Sequence, residues 1–251
     1  MGICYSYKIK EMGFGHEPIS LKVLDKLKIS LCKIKKDPIF GTGFFMKYKN
    51  KKYLLTCFHV INSVKVDVSI EIEKNNENNR TFKLALENRD IRLLPDPIDI
   101  TIIEIKDSDL FIEDIGFLDY DSNYDKGYQQ YEDINIFNLG YPNGNELSTA
   151  SWKLNRIDHN DFYHTIDTKG GSSGSPILLF NTLKVIGIHK EADTKKKLNV
   201  GIFIGEVINN LESNNPKLNI ITKNDQNIIY DNIFNKFDNM RENRYEPNYE
   251  Y

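Results

Sequence analysis

The sequence predicts an all-β protein, a sandwich or a pair of barrels, and three observations carry that expectation. About a dozen short runs are rich in β-branched and aromatic residues, several alternating with period two. Polar turn-forming residues separate them at short intervals. Helical periodicity is confined to the last fifty residues or so of the chain, which argues against an alternating β/α architecture.

The runs follow in order. GFFMKYK (43–49) and KYLLTCFHV (52–60) flank Asn50-Lys51, which reads as a tight hairpin. VDVSIEI (66–72) alternates strictly, so one of its faces is buried. KNNENNR (74–80) is a polar loop, and TFKLAL, DIRLL and DITIIEI are further strands. A polar stretch around 119–133 marks the border between two halves. INIFNLGYP, WKLNRI, DFYHTI, SPILLF, KVIGIHK and LNVGIFI make the second set of strands. GEVINNLESNN (205–215) and NIIYDNIFNKFDNM (227–240) read as short helices. In the latter, Ile229, Ile233, Phe237 and Met240 form one apolar stripe, for the protein's own body or for a partner.

Composition narrows the function. A chain of 251 residues can form one two-lobed domain with a full core, or two small ones. With 33 basic and 36 acidic residues, net charge gives no support to nucleic-acid binding. Cys4, Cys32 and Cys57 do not make a disulfide framework; Cys32 and Cys57 read as buried thiols, which points to a reducing, intracellular compartment. No apolar run approaches the roughly 18 residues of a membrane span, and the first twenty residues contain no signal-like apolar stretch. Met1-Gly2 with Ser6 fits an acylation pattern. Membrane association is expected only if Gly2 and Cys4 are both acylated.

The chemistry centres on GGSSGSP (170–176). A nucleophilic serine needs a sharp turn that exposes its oxygen and leaves backbone N–H groups for the developing oxyanion, and glycines permit that turn. The segment also spells G-x-S-x-G around Ser172, but a proline and a strand follow where an α/β-hydrolase needs a helix. Gly171-Ser172-Ser173-Gly174-Ser175-Pro176 resembles the G-x-S-G-[GS]-P segment of chymotrypsin-like serine proteases. The resemblance assigns Ser173 as nucleophile and the N–H groups of Gly171 and Ser173 as the oxyanion hole. A serine needs an adjacent base. His59, preceded by GTGFF and LLT, resembles the family's T-A-A-H segment, with Cys57 and Phe58 in place of small residues. Asp99, opening DITIIEI, resembles the orienting acid. Asp96 competes with it but sits between prolines and reads as a turn. The order His, Asp, Ser is that of chymotrypsin, not of subtilisin or the α/β-hydrolases.

Within that superfamily, TKGGSSGSPILLF, KVIGIHK and the upstream LGYPNG (139–144) are most similar to glutamyl endopeptidases. The resemblance implies two six-stranded antiparallel β-barrels with the site between them, an acyl-enzyme route, and neither metal nor cofactor. The expected division is an extension (1–25), a first barrel with His59 and Asp99 (26–121), a second barrel with Ser173 (122–214) and a partly helical extension (215–251). Protein or peptide substrates are expected, with the extensions as docking points for a regulatory partner. By family position Thr168 and His189 line the specificity pocket, for glutamate or glutamine. Asp167 occupies the place that would hold arginine or lysine, so that preference stays open. A catalytically silent scaffold is the other alternative. His159 and His164 have no further ligand cluster around them in sequence, which argues against a metal centre.

Overall fold

Alternating apolar residues on β-branched runs build the sheets of this computed structural model, which describes residues 19–36, 39–64, 68–73, 79–166, 168–193 and 196–213. The side chain of Trp152 is also outside the description. The expectations for Gly2, Cys4, most of the 74–80 loop, Asp167 and the 227–240 helix lie outside the described residues.

The described chain opens with α1 (Leu21–Lys28), a helix the sequence did not reveal, which straddles the expected border between the extension (1–25) and the first barrel. Ser20 caps it by accepting from the Val23 N–H, and Leu24 and Leu27 bury one face. Eight residues are too few to show a helical period against the strands that follow.

The first lobe is one antiparallel sheet of seven strands: β1 (Leu31–Lys36), β2 (Ile39–Tyr48), β3 (Lys51–Cys57), β4 (Val68–Ile72), β5 (Arg80–Leu84), β6 (Ile91–Leu94) and β7 (Ile100–Ile105). Their order is β5-β4-β1-β2-β3-β7-β6. The all-β, chymotrypsin-like architecture therefore holds, with a seven-stranded sheet where the resemblance implies six strands. β1 was not anticipated, because the lysines in LCKIKK dilute its apolar pattern, yet its first four residues are all buried. The β2–β3 turn sits at Lys49-Asn50, one residue earlier than expected, with Lys49 in the left-handed region at φ 53°.

The polar 119–133 stretch is a run of 3-10 turns joining the lobes. Beyond it, β8 (Asn135–Gly140), β9 (Ser148–Asp158), β10 (Asp161–His164), β11 (Pro176–Leu179), β12 (Val185–Asp193) and β13 (Leu198–Phe203) close into a six-stranded barrel, ordered β10-β13-β12-β11-β8-β9. The ring of Phe162 fills the barrel against Phe203, with centroids 4.8 Å apart, and the bare Gly187 and Gly201 of neighbouring strands make room for it. α2 (Ile204–Glu212) then crosses back. Its Glu212 accepts from the Tyr48 hydroxyl at 2.5 Å and its Asn210 from Arg92, so the helix ties both lobes together.

Two histidines are built into the second lobe without solvent. His164 on β10 is fully buried and His189 on β12 is 3% exposed, with ring centroids 5.4 Å apart. Burial lowers the His164 pKa to about 3, and burial together with the other histidines pushes His189 well below the ordinary value. Both are therefore neutral in the folded protein at neutral pH. The unfolded chain takes up their protons near the ordinary pKa of about 6.5, so stability is intact above that pH and falls as the pH drops below it. Unfolding free energies from urea titrations between pH 7.5 and 5 should fall, by about 1–2 kcal/mol per histidine at pH 5. His164→Leu should flatten the dependence, and an unchanged pH slope in that variant would remove His164 as its source.

Candidate active site

Asp99 is set immediately before β7 on a bend that few residues adopt. It is 6% exposed with φ 58°, in the left-handed region where aspartate is among the better tolerated side chains. The N–H groups of Ile98 and Asp99 both donate to the Pro95 carbonyl, at 3.1 and 3.2 Å, and the Asp99 carbonyl accepts from the Phe58 N–H. The bend faces the carboxylate back toward the turn that ends β3. There Oδ1 accepts the backbone N–H of His59 at 3.0 Å, and Oδ2 lies 2.7 Å from His59 Nδ1. One carboxylate thus holds both the backbone and the ring of the histidine. It favours the tautomer with hydrogen on Nδ1, which leaves Nε2 as an acceptor. Burial alone would lower the His59 pKa, but the Asp99 hydrogen bond and charge outweigh it, and the pKa lies above the ordinary value.

The glycine-rich turn is fastened to the first lobe by Thr42 of β2. Its N–H donates to the Ser173 carbonyl at 2.9 Å, and its hydroxyl donates to the Gly171 carbonyl at 2.9 Å while accepting from the Tyr141 N–H. Gly171 and Gly174 both have φ 89°. A Cβ on Gly174 would lie 2.1 Å from the Thr42 carbonyl oxygen, so neither conformation nor space admits a side chain there. The Gly174 N–H donates to the His189 carbonyl at 2.9 Å, and the Cys57 thiol donates to the same oxygen at 3.3 Å. The space beside Gly41 is bounded by Val60, next to His59, and by the Ser173 carbonyl, which brings the two segments side by side.

The turn separates its two serines. Ser172 is 2% exposed, and its hydroxyl accepts from the Lys169 N–H. Ser173 is half-buried, and its hydroxyl makes no hydrogen bond among the described residues. A bond from Ser173 Oγ to His59 is thus not formed here, and in substrate-free sites such bonds commonly tighten only in the complex. The N–H groups of Gly171 and Ser173 also donate to nothing among the described residues, which is the state required of donors kept for a substrate oxygen.

Thr168 is half-buried and donates to Asn199 Oδ1 at 2.8 Å, while Asn199 donates to the Ile166 carbonyl at 2.6 Å. His189 Nδ1 and His164 Nε2 are buried without a partner among the described residues. Sequence reasoning missed Asn199, and it weighed His164 only as a metal ligand; strand pairing sets these two opposite each other on β10 and β13. It also missed Lys190, 5% exposed, whose Nζ donates to the Pro97 carbonyl at 2.6 Å and to Asp161 at 3.3 Å. This buried ammonium crosses from the second lobe to the loop that carries Asp99. His159 lies on an exposed turn beside Asp158, away from these groups.

Residues 41–188 match the trypsin-like peptidase domain family. Replicase polyprotein 1a of Berne virus is 22% identical over 151 residues, which are 60% of this chain and 3% of that protein. The chain therefore spans only a few hundredths of the length of the curated relatives it matches. Among solved structures, the serine endoprotease from Yersinia pestis aligns with a TM-score of 0.58 at 14% identity, over 78% of this chain and 67% of that one. An inactive form of the Rv3671c protein from M. tuberculosis aligns with a TM-score of 0.56 at 16% identity, over 75% and 88%. At these identities the structural likeness speaks for the fold. A family match across more than half of the chain, on a closed barrel docked to an antiparallel sheet, makes this protein a member of the trypsin-like peptidase domain family.

Proposed function

We propose that the chain is a serine endopeptidase whose catalytic groups are Ser173, His59 and Asp99. The observation that carries the reading is the double hold of Asp99 on His59, through the backbone N–H and through Nδ1. With Nδ1 committed, Nε2 accepts the Ser173 proton as Oγ attacks the scissile carbonyl. The tetrahedral oxyanion draws on the N–H groups of Gly171 and Ser173. His59 then returns the proton to the leaving amine, an acyl-enzyme forms on Ser173, and water reverses the sequence. Asp99 holds the ring and stabilises the imidazolium through its hydrogen bond.

Thr168 and His189 support cleavage after glutamine, and after glutamate less readily. A buried, neutral His189 offers one hydrogen bond without charge. That suits the amide oxygen of glutamine. A buried carboxylate without a counter-charge costs several kcal/mol more. Asp167, the residue on which an arginine or lysine preference would depend, lies outside the described residues.

A fluorophosphonate probe should label the protein at Ser173, and Ser173→Ala should abolish labelling. Profiling on a peptide library should show glutamine ahead of glutamate before the cut bond. No labelling of intact protein would leave the fold with a binding role only, and cleavage after arginine or lysine would overturn the pocket assignment.

The pH profile gives a second test. Protonated His59 cannot take the serine proton, so activity appears as pH rises through its pKa. Because that pKa is raised, the acidic limb of kcat/KM should lie above pH 6.5. Asp99→Asn should lower kcat by about 10⁴-fold, since it removes the hold on the tautomer. An acidic limb below pH 6.5 in the unaltered protein would contradict the Asp99–His59 coupling.

A further inference from the structure

Cys57 is the residue in this site that serine-protease chemistry does not use. It ends β3, two residues before His59, and its side chain is fully buried. Its sulfur, a ring nitrogen of His59 and a carboxylate oxygen of Asp99 all lie within 4.8 Å of one another. We propose that Cys57, His59 and Asp99 form an inhibitory binding site for a thiophilic divalent cation of the zinc class.

The donor set fits such an ion by type, charge and spacing. Thiolate, imidazole and carboxylate are the three side-chain donors that zinc takes in proteins. With Zn–S near 2.3 Å and Zn–N and Zn–O near 2.0–2.1 Å, a tetrahedral ion holds its ligand atoms about 3.3–3.6 Å apart. To reach that spacing, Nδ1 and Oδ2, now 2.7 Å apart, must open, and ligand atoms lying up to 4.8 Å apart must close. A thiolate and a carboxylate together neutralise a divalent cation, so the filled site buries no net charge. A coordinating cation removes the thiol proton outright. The half-exposed His59 ring, with 30% of its side chain accessible, is the side from which an ion enters. A fourth ligand position is left for water.

The inhibition follows from the tautomer. The cation takes Nδ1, where the hydrogen bond to Asp99 now lies. The proton of Nδ1 leaves and the neutral ring carries its hydrogen on Nε2 instead, while the thiol proton passes to solvent. An imidazole with hydrogen on Nε2 has no lone pair there to accept the Ser173 proton. The base is therefore disabled without any change to Ser173 or to the oxyanion donors.

Binding can be tested apart from activity. The inhibitory role rests on the proposed peptidase reading, but the site itself does not. Cobalt(II), titrated into the full chain carrying Ser173→Ala, should produce an intense thiolate-to-metal charge-transfer band with one equivalent bound. Cys57→Ser, and independently Cys57→Ala, should abolish that band, whereas Cys32→Ser should leave it. In the active protein, zinc should block fluorophosphonate labelling and a chelator should restore it. Relative to its own zinc-free labelling, Cys57→Ser should need at least tenfold more zinc for the same fractional block. Absence of the cobalt band, or its persistence in both Cys57 variants, overturns the site. A Cys57-dependent band with labelling indifferent to zinc overturns the inhibition.

Discussion

Thr42 is the residue on which the arrangement of the site depends. Four hydrogen bonds converge on this one buried side chain and its peptide groups. Its N–H reaches the Ser173 carbonyl, and its hydroxyl bridges the Gly171 carbonyl and the Tyr141 N–H. Its own carbonyl accepts from the Thr56 hydroxyl at 2.8 Å. Through it β2 and β3 of the first lobe, the turn at 170–175 and the end of β8 are held in one register. In a region closed to water each of these groups must be paired, and losing one partner leaves the others short by the full cost of desolvation. The lobes therefore cannot slide against each other without breaking several bonds together. Gly174 enforces the same contact sterically, because no side chain fits between it and Thr42.

That constraint separates what the sequence could reveal from what it could not. The glycine turn and the bend at Asp99 were legible because each demands an unusual local sequence. The turn needs glycine at two left-handed positions, and Asp99 needs a bend before an apolar strand. Most of the strands were legible from alternation. α1 and β1 were not, since α1 is short and β1 mixes lysines into a buried run. Thr42, Asn199 and Lys190 were invisible for another reason. Each acts through partners far away in sequence, as with Thr42 and Gly171, 129 residues apart. No local pattern records such a pairing.

The histidines show how one residue type is given opposite properties by its surroundings. His59 keeps partial access to water and faces a carboxylate, so its protonated form is favoured. His164 and His189 are buried in the barrel interior, and burial favours their neutral forms. The division fits the proposed peptidase, in which one histidine moves a proton and another recognises a side chain. A base must change its charge on demand, whereas a recognition group that changed charge would alter selectivity with pH.

The two functions are nonetheless wired to one atom. The His189 carbonyl accepts from Gly174 N–H, beside Ser173, and from Cys57 Sγ, two residues before His59. Lys190, the next residue along β12, holds the loop before Asp99. Residues 189 and 190 thus touch the segments that carry Ser173, His59 and Asp99, through one backbone carbonyl and one ammonium group. In the proposed pocket, a substrate side chain held at His189 would act on a strand that is already bonded to all three segments. Buried contacts therefore couple β12 to the segments that carry Ser173, His59 and Asp99.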